Sequence, residues 1–568
     1  MKRNGFCAVV AGMLLLALLL GGCGMFRTNV VDESDGEEST VDVGENTAPR
    51  EEESSEAALE ESPLEEAPDP AYGQSTEKDS DENSANDTLG GAAQEEVYQS
   101  QPLPTQAYPN DAPYDDNYFE DYGVNPMIDT EDDNLSTFAI DVDTGSFTIA
   151  RRYLQDGYLP EPDSVRVEEF VNYFDQGYDS PGEHQAFSIH LDGAPTPFTQ
   201  TERYQVLRVG LQGYAVEEED RKDASLTFVI DVSGSMEMEQ RLEMVKHALE
   251  MLVDQLGSRD RVAIVVYGTE ARVVLEPTSA KYDDEIMEVI DELEPEGSTN
   301  AEAGLILGYE MALMGFNPEG INRVILCSDG VANVGNTGAE SIWEQIDAYA
   351  SEGIYLTTVG FGMGNYNDVL MEQLADRGDG FYAYVDTFDE AERLFEEDLT
   401  STLQVIAKDV KVQVEFNPDV VSRYRLIGFE NRDVADEDFR DDSVDAGEVG
   451  AGHSVTALYE VKLYAEESGE IANVMLRWED PETGEVTEIN ESIHTHDLAD
   501  EFEEADPYFQ WDVLTAAFAD CLRGSTWAEE VEFDDLLDEF ERLEEWFWND
   551  EERESLVEMV ETADWLTR

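Results

Sequence analysis

Asp231, Ser233 and Ser235 stand at alternate positions in Asp231-Val232-Ser233-Gly234-Ser235, so one carboxylate and two hydroxyls can turn into a single crevice. All three are hard oxygen donors, which Mg²⁺, Mn²⁺ or Ca²⁺ takes in preference to thiolate or imidazole. Serines here also serve as helix caps, and the pentad alone does not choose between the two uses. Two later segments add donors: Thr299 in Gly297-Ser298-Thr299-Asn300 and Asp329 in Ser328-Asp329-Gly330. Thr299 also fits a capping box with Glu302.

The elements around these residues are legible. Residues 226–230 are β-branched and aromatic without alternation, the pattern of a strand buried on both faces, and residues 323–328 repeat it. Each run ends at the carboxyl edge where loops of an open α/β sheet converge on ligands. Behind the pentad, Leu242, Val245, Leu249, Leu252 and Leu256 make a helical stripe that packs on such a sheet. Further strands are expected at 260–267, 271–275, 355–361 and 381–385, giving six strands in a doubly wound, mostly parallel sheet.

Asp-x-Ser-x-Ser after the first strand, a threonine in Gly-Ser-Thr-Asn and Ser-Asp-Gly after the fourth strand resemble the metal-ion-dependent adhesion site (MIDAS) of von Willebrand factor type A (VWA) domains. The resemblance implies a Rossmann-like fold over residues 223–403. It also implies Mg²⁺, with Mn²⁺ or Ca²⁺ as alternatives, at Asp231, Ser233, Ser235, Thr299 and Asp329. One coordination position would then be left for an acidic residue of a protein partner. In this family the site can be linked to movement of the last helix, here near residues 389–403.

The chain as a whole is strongly acidic: 132 Asp and Glu against 33 Lys and Arg give a net charge of −99. Such a surface excludes nucleic-acid binding through a basic footprint. Lys2 and Arg3 precede an uncharged stretch with an apolar core, which is signal-peptide composition over residues 1–22. Leu20-Gly21-Gly22-Cys23 resembles a bacterial lipobox, implying a lipidated (palmitate-bearing) Cys23 and an extracytoplasmic, membrane-anchored lipoprotein. A plain membrane-spanning helix is the alternative. Residues 24–120 hold 27 acidic residues against Arg27, Arg50 and Lys78, the composition of a disordered tether within the 23–120 segment.

The flanks are expected as an α+β N-terminal domain at 121–222 and a β-rich and helical C-terminal domain at 404–568. Asn125-Pro126, Asp141-Val142-Asp143-Thr144, residues 167–174, residues 425–432 and Gly450-Ala451-Gly452-His453 resemble the corresponding regions of bacterial lipoproteins of the YfbK type. Helices are expected at 146–154 and 165–174, and strands at 135–142, 187–191, 204–211, 410–416, 454–463 and 471–478. Asp141 and Asp143 have the spacing of a phosphatase nucleophile and acid, but Gly145 departs from that pattern, and a structural turn or minor cation contact is expected. Gly360-Phe361-Gly362-Met363-Gly364 lacks the spacing of a dinucleotide loop and reads as a tight turn, so no nucleotide is expected. His494 and His496 lack further ligands nearby. The leading expectation is a non-enzymatic, surface-anchored binding protein. A Mg²⁺-dependent phosphatase or hydrolase and a structural envelope scaffold are the alternatives.

Overall fold

A computed structural model describes residues 117–568 apart from 183–184, 199–202, 217–219, 331–345, 347, 365, 398–402, 445 and 466. The expected signal peptide, Cys23 and acidic tether lie outside the described residues.

Six strands form the central sheet, in the spatial order Tyr382–Val385, Tyr355–Phe361, Ile321–Ser328, Ala224–Asp231, Arg261–Tyr267 and Ala271–Ser279. Five run parallel and the last is an antiparallel edge. Every residue of Ala224–Asp231 and Ile321–Ser328 is buried, which explains why their apolar residues run on without alternation, as in Phe228-Val229-Ile230 and Val324-Ile325-Leu326-Cys327. The chain leaves Ala224–Asp231 toward one side of the sheet and returns on the other, making a switch point at the carboxyl ends of these two strands. The helix Arg241–Gln255 covers one face with Leu242, Val245, Leu249 and Leu252. On the other face, Gly308 lets the helix Ala301–Gly315 close on the sheet, since a Cβ there would stand 2.3 Å from Val229 Cγ2. Asn300 caps that helix, its side chain accepting from the Ala303 N–H at 3.2 Å, so the capping expected of Thr299 falls to its neighbour.

The two flanks, expected as separate domains, share both sheets of one β-sandwich. One sheet runs Ile128–Asp129, Val421–Ile427, Ser454–Leu463, Tyr204–Gly213 and Phe187–Pro195. The other runs Val449–Gly450, Val405–Phe416, Glu470–Glu479 and Val486–His494, with Leu135–Ala139 paired to Val405–Phe416. Phe138 opposes Val412 and Ile128 opposes Tyr424, so N-terminal strands are held in register by partners on the far side of the central sheet in sequence. Phe138, Val209, Val412, Val414, Tyr459 and Val474 belong to the shared core between the sheets. Backbone pairing joins the halves, so neither can bury its apolar face alone.

A third layer packs on the outer face at Ala194, Val206 and Leu458. It comprises the helices Pro507–Leu522, Phe533–Leu543 and Glu551–Thr567 and the short helix Val167–Val171. The expected helix at 165–174 is thus one turn and a half, preceded by a 3₁₀ turn at Pro162–Ser164. Helix Gly145–Gln155 stands between layers, giving Phe147, Ala150 and Leu154 to the helices and Ile149 and Tyr153 to the central domain. The chain enters and leaves the central domain side by side: the Lys222 N–H donates to Gln404 Oε1 at 3.2 Å.

Candidate metal centre at the sheet rim

Asp231 ends its strand fully buried. Its Oδ1 accepts from the Ser233 N–H at 2.7 Å, and Ser328 Oγ donates to Oδ2 at 3.3 Å. Ser233 and Ser235 share a hydrogen bond of 2.9 Å between their hydroxyls, which brings them together beside the carboxylate. The loop bearing Thr299 closes on this turn, the Gly234 N–H donating to the Gly297 carbonyl at 3.3 Å. Asp329 is also buried; its Oδ2 accepts from Arg241 Nη1 at 3.0 Å, and its Oδ1 has no hydrogen-bond partner among the described residues. Burial first, and the neighbouring Asp329 carboxylate second, push the Asp231 carboxyl up to about 6.

Two buried acids near one another, one with an orphaned oxygen, make an electronegative pocket that is costly unless a cation completes it. Hydroxyls at Ser233 and Ser235 and the loop carrying Thr299 surround it with further hard donors, so the residues present fit a divalent cation. Among the described residues no three His, Cys, Asp or Glu side chains converge to hold a metal. The rim would rely instead on two carboxylates and three hydroxyls.

Three family models match the chain. The von Willebrand factor type A domain matches residues 225–397. Uncharacterized protein YfbK, C-terminal, matches 401–566, and a family described as von Willebrand factor matches 113–207. Uncharacterized protein YfbK of Escherichia coli (strain K12) is 40% identical over 352 residues, covering 61% of this chain and 61% of its own. The chain thus carries a VWA domain and a YfbK-type C-terminal region. Human inter-alpha-trypsin inhibitor heavy chain H4 is 30% identical over 160 residues, 27% of this chain and 17% of that one. A solved von Willebrand factor type A structure from Catenulispora acidiphila covers 56% of this chain and 75% of its own at 17% identity, with a TM-score of 0.36.

Arg241 is the rim residue that sequence reasoning missed. It is buried, and its Nη2 donates to the Met363 carbonyl while Nη1 holds Asp329. Gly362 sits against it at φ +84°, where a Cβ would stand 2.0 Å from Arg241 Nε, so the glycine turn expected at 360–364 exists to admit the arginine. Nothing in the spacing of Arg241 separates it from an ordinary basic residue at a helix start.

Asp141 and Asp143 lie elsewhere, in a joint between the YfbK-type flanks and the VWA domain. Arg432 donates to Asp141 at 2.9 Å and Asp143 at 3.4 Å, and to Glu372 at 3.4 Å and Asp376 at 3.0 Å on the VWA helix Asp368–Arg377. Asp143 also accepts from the Tyr382 N–H at 2.7 Å, and Gly145 leaves room for the Tyr382 ring, whose Cε1 would be 2.5 Å from a Cβ. The glycine that departs from the phosphatase pattern is therefore a packing requirement. His494, half-buried, ends its strand and His496, exposed, lies beyond it, both beside Asp497. Cys327 is buried in the central sheet and Cys521 partly buried on a helix, both as free thiols.

Proposed function

We propose that this VWA protein is a lipid-anchored, extracytoplasmic binding protein. It would engage an acidic residue of a protein partner through a divalent cation, Mg²⁺ before Mn²⁺ or Ca²⁺, held by Asp231, Ser233, Ser235, Thr299 and Asp329. The observation that carries this reading is the buried Asp329 Oδ1, which has no partner among the described residues, beside the raised Asp231 carboxyl. VWA domains often take a divalent cation at this position and generally serve in protein interaction without catalysis, which supports the same reading.

Asp231 and Asp329 supply negative charge, and the three hydroxyls orient without adding more. Arg241 fixes one Asp329 oxygen and leaves the other available. A cation bound there supplies an open position for a carboxylate from the partner. Against the phosphatase alternative, Asp141 and Asp143 both accept from Arg432. Cys23 and the acidic tether would set the domain away from the membrane, at a reach of roughly 50 to 60 Å for a flexible coil.

The test is a pull-down from the native envelope in Mg²⁺, comparing wild type with Asp231→Ala. A partner kept by wild type, lost in EDTA and lost by the variant supports the reading; equal retention by both proteins overturns it.

A further inference from the structure

A cavity of about 290 Å³ lies between the outer face of the sandwich and the helix Pro507–Leu522. That is the lower end of the range of roughly 300 to 1,000 Å³ typical of small-molecule pockets. Val206, Ile427 and Leu458 wall it from the sheet, and Val513, Ala516 and Ala517 from the helix, the small alanines keeping it open. Arg425 lines it at 4% exposure, its guanidinium 4.7 Å from the Trp527 ring, which is 41% exposed and forms part of the rim.

The hydrogen bonds of Arg425 are incomplete. Its Nη2 reaches Glu460 at 3.4 Å, and its Nη1 stands 3.8 Å from Asp520, beyond hydrogen-bond length. Nε and Nη1 are buried with no partner among the described residues. Asp520 is engaged by Arg523 at 2.7 Å and does not turn to Arg425. Two cationic N–H groups removed from water without acceptors carry a penalty that a ligand oxygen would relieve.

We propose that this cavity binds a small, uncharged, largely apolar molecule that presents a carbonyl or amide oxygen to Arg425. The apolar walls select the body of the ligand and the orphaned donors select its polar end. Charge decides against an anion: Glu460, Asp520, Glu529 and Glu530 all line the cavity, and only Arg425 and its neighbour Arg523 oppose them. A cation, in turn, would leave both Arg425 donors unmet. The site is independent of the rim and does not rest on the cation reading.

Three probes of similar size separate the possibilities on the full chain by isothermal titration: benzylacetone, a neutral ketone; butylbenzene, which lacks the oxygen; and phenylbutyrate, an anion. Benzylacetone should bind wild type about tenfold more tightly than butylbenzene, one hydrogen bond to a charged donor being worth about that factor. Ala517→Leu, which fills the cavity, should abolish binding of both, and Arg425→Met should bring ketone and hydrocarbon to equal affinity. No binding of benzylacetone, equal affinity of ketone and hydrocarbon in wild type, or tighter binding of phenylbutyrate than of benzylacetone would each overturn the proposal. The wild-type comparison decides it even where a variant fails to fold.

Discussion

The rim and the joint both bury acids, and they treat them differently. At the rim, Arg241 pairs with Asp329, Asp231 accepts from the Ser233 N–H and the Ser328 hydroxyl instead, and one Asp329 oxygen is left over. At the joint, Arg432 takes Asp141, Asp143, Glu372 and Asp376; Arg166 takes Asp368 and Glu169; and Arg151 takes Asp386 and Glu390. With only 33 Lys and Arg against 132 acids, three guanidiniums in one region, those of Arg151 and Arg166 buried and that of Arg432 half-buried, mark where the fold needs counter-charge. The contrast separates carboxylates tied into ion-pair networks from one left with an unpartnered oxygen among the described residues.

Removing the counter-charge tests this most strongly. Arg432→Met leaves three buried acids, Asp141, Asp143 and Glu372, without this arginine and should cost about 3 to 5 kcal/mol in a denaturant titration. Asp231→Asn, which removes a charge that burial already disfavours, should cost little in the absence of Mg²⁺. Comparable losses in the two variants would erase the distinction.

Mg²⁺ at a hundredfold excess over its Kd should add about 2.7 kcal/mol to the stability of wild type and nothing to Asp231→Asn, read as a shift in the thermal midpoint. Arg241→Met sharpens the picture further. Lifting a positive charge from Asp329 should tighten Mg²⁺ binding about tenfold by titration calorimetry; weaker binding would make Arg241 a positioning residue for Asp329.

The smallest effect concerns pH. Burial, first among the causes, pushes Glu169 up to about 8 and Glu372 up to about 7, above the ordinary carboxyl value near 4.5. Between those limits the folded state holds more protons than the unfolded chain, so stability from these groups is present below pH 4.5 and is lost as pH rises toward 8. Thermal midpoints should fall as pH rises from 5 to 8, and Glu169→Gln should flatten the slope.

The rim was readable in the sequence because a carboxylate and hydroxyls at strand ends leave a local signature, and each donor stands beside the element that places it. Asp231 and the apolar run before it, or Asp329 and residues 323–328, can be interpreted without knowing what lies across the molecule. The joint leaves no such trace: Arg432 meets Asp141 from 291 positions away, and Phe138 finds Val412 through backbone pairing that any β-branched run could supply. For the same reason the flanks looked like two domains. Their shared sheets are written in register and twist, which composition and periodicity do not encode. Arg241 and Gly362 went unread because a buried arginine is recognisable only from the turn that receives it.

The adjacency of Lys222 and Gln404 gives the VWA domain the topology of a cassette. A unit plugged in through two neighbouring points can be exchanged by recombination without re-registering any pair in the sandwich, which serves as its socket. The newcomer must still carry acids where Asp368 and Asp386 stand, because Arg166 and Arg151 wait there buried. Specificity can therefore diversify within the cassette while the key to the socket stays fixed.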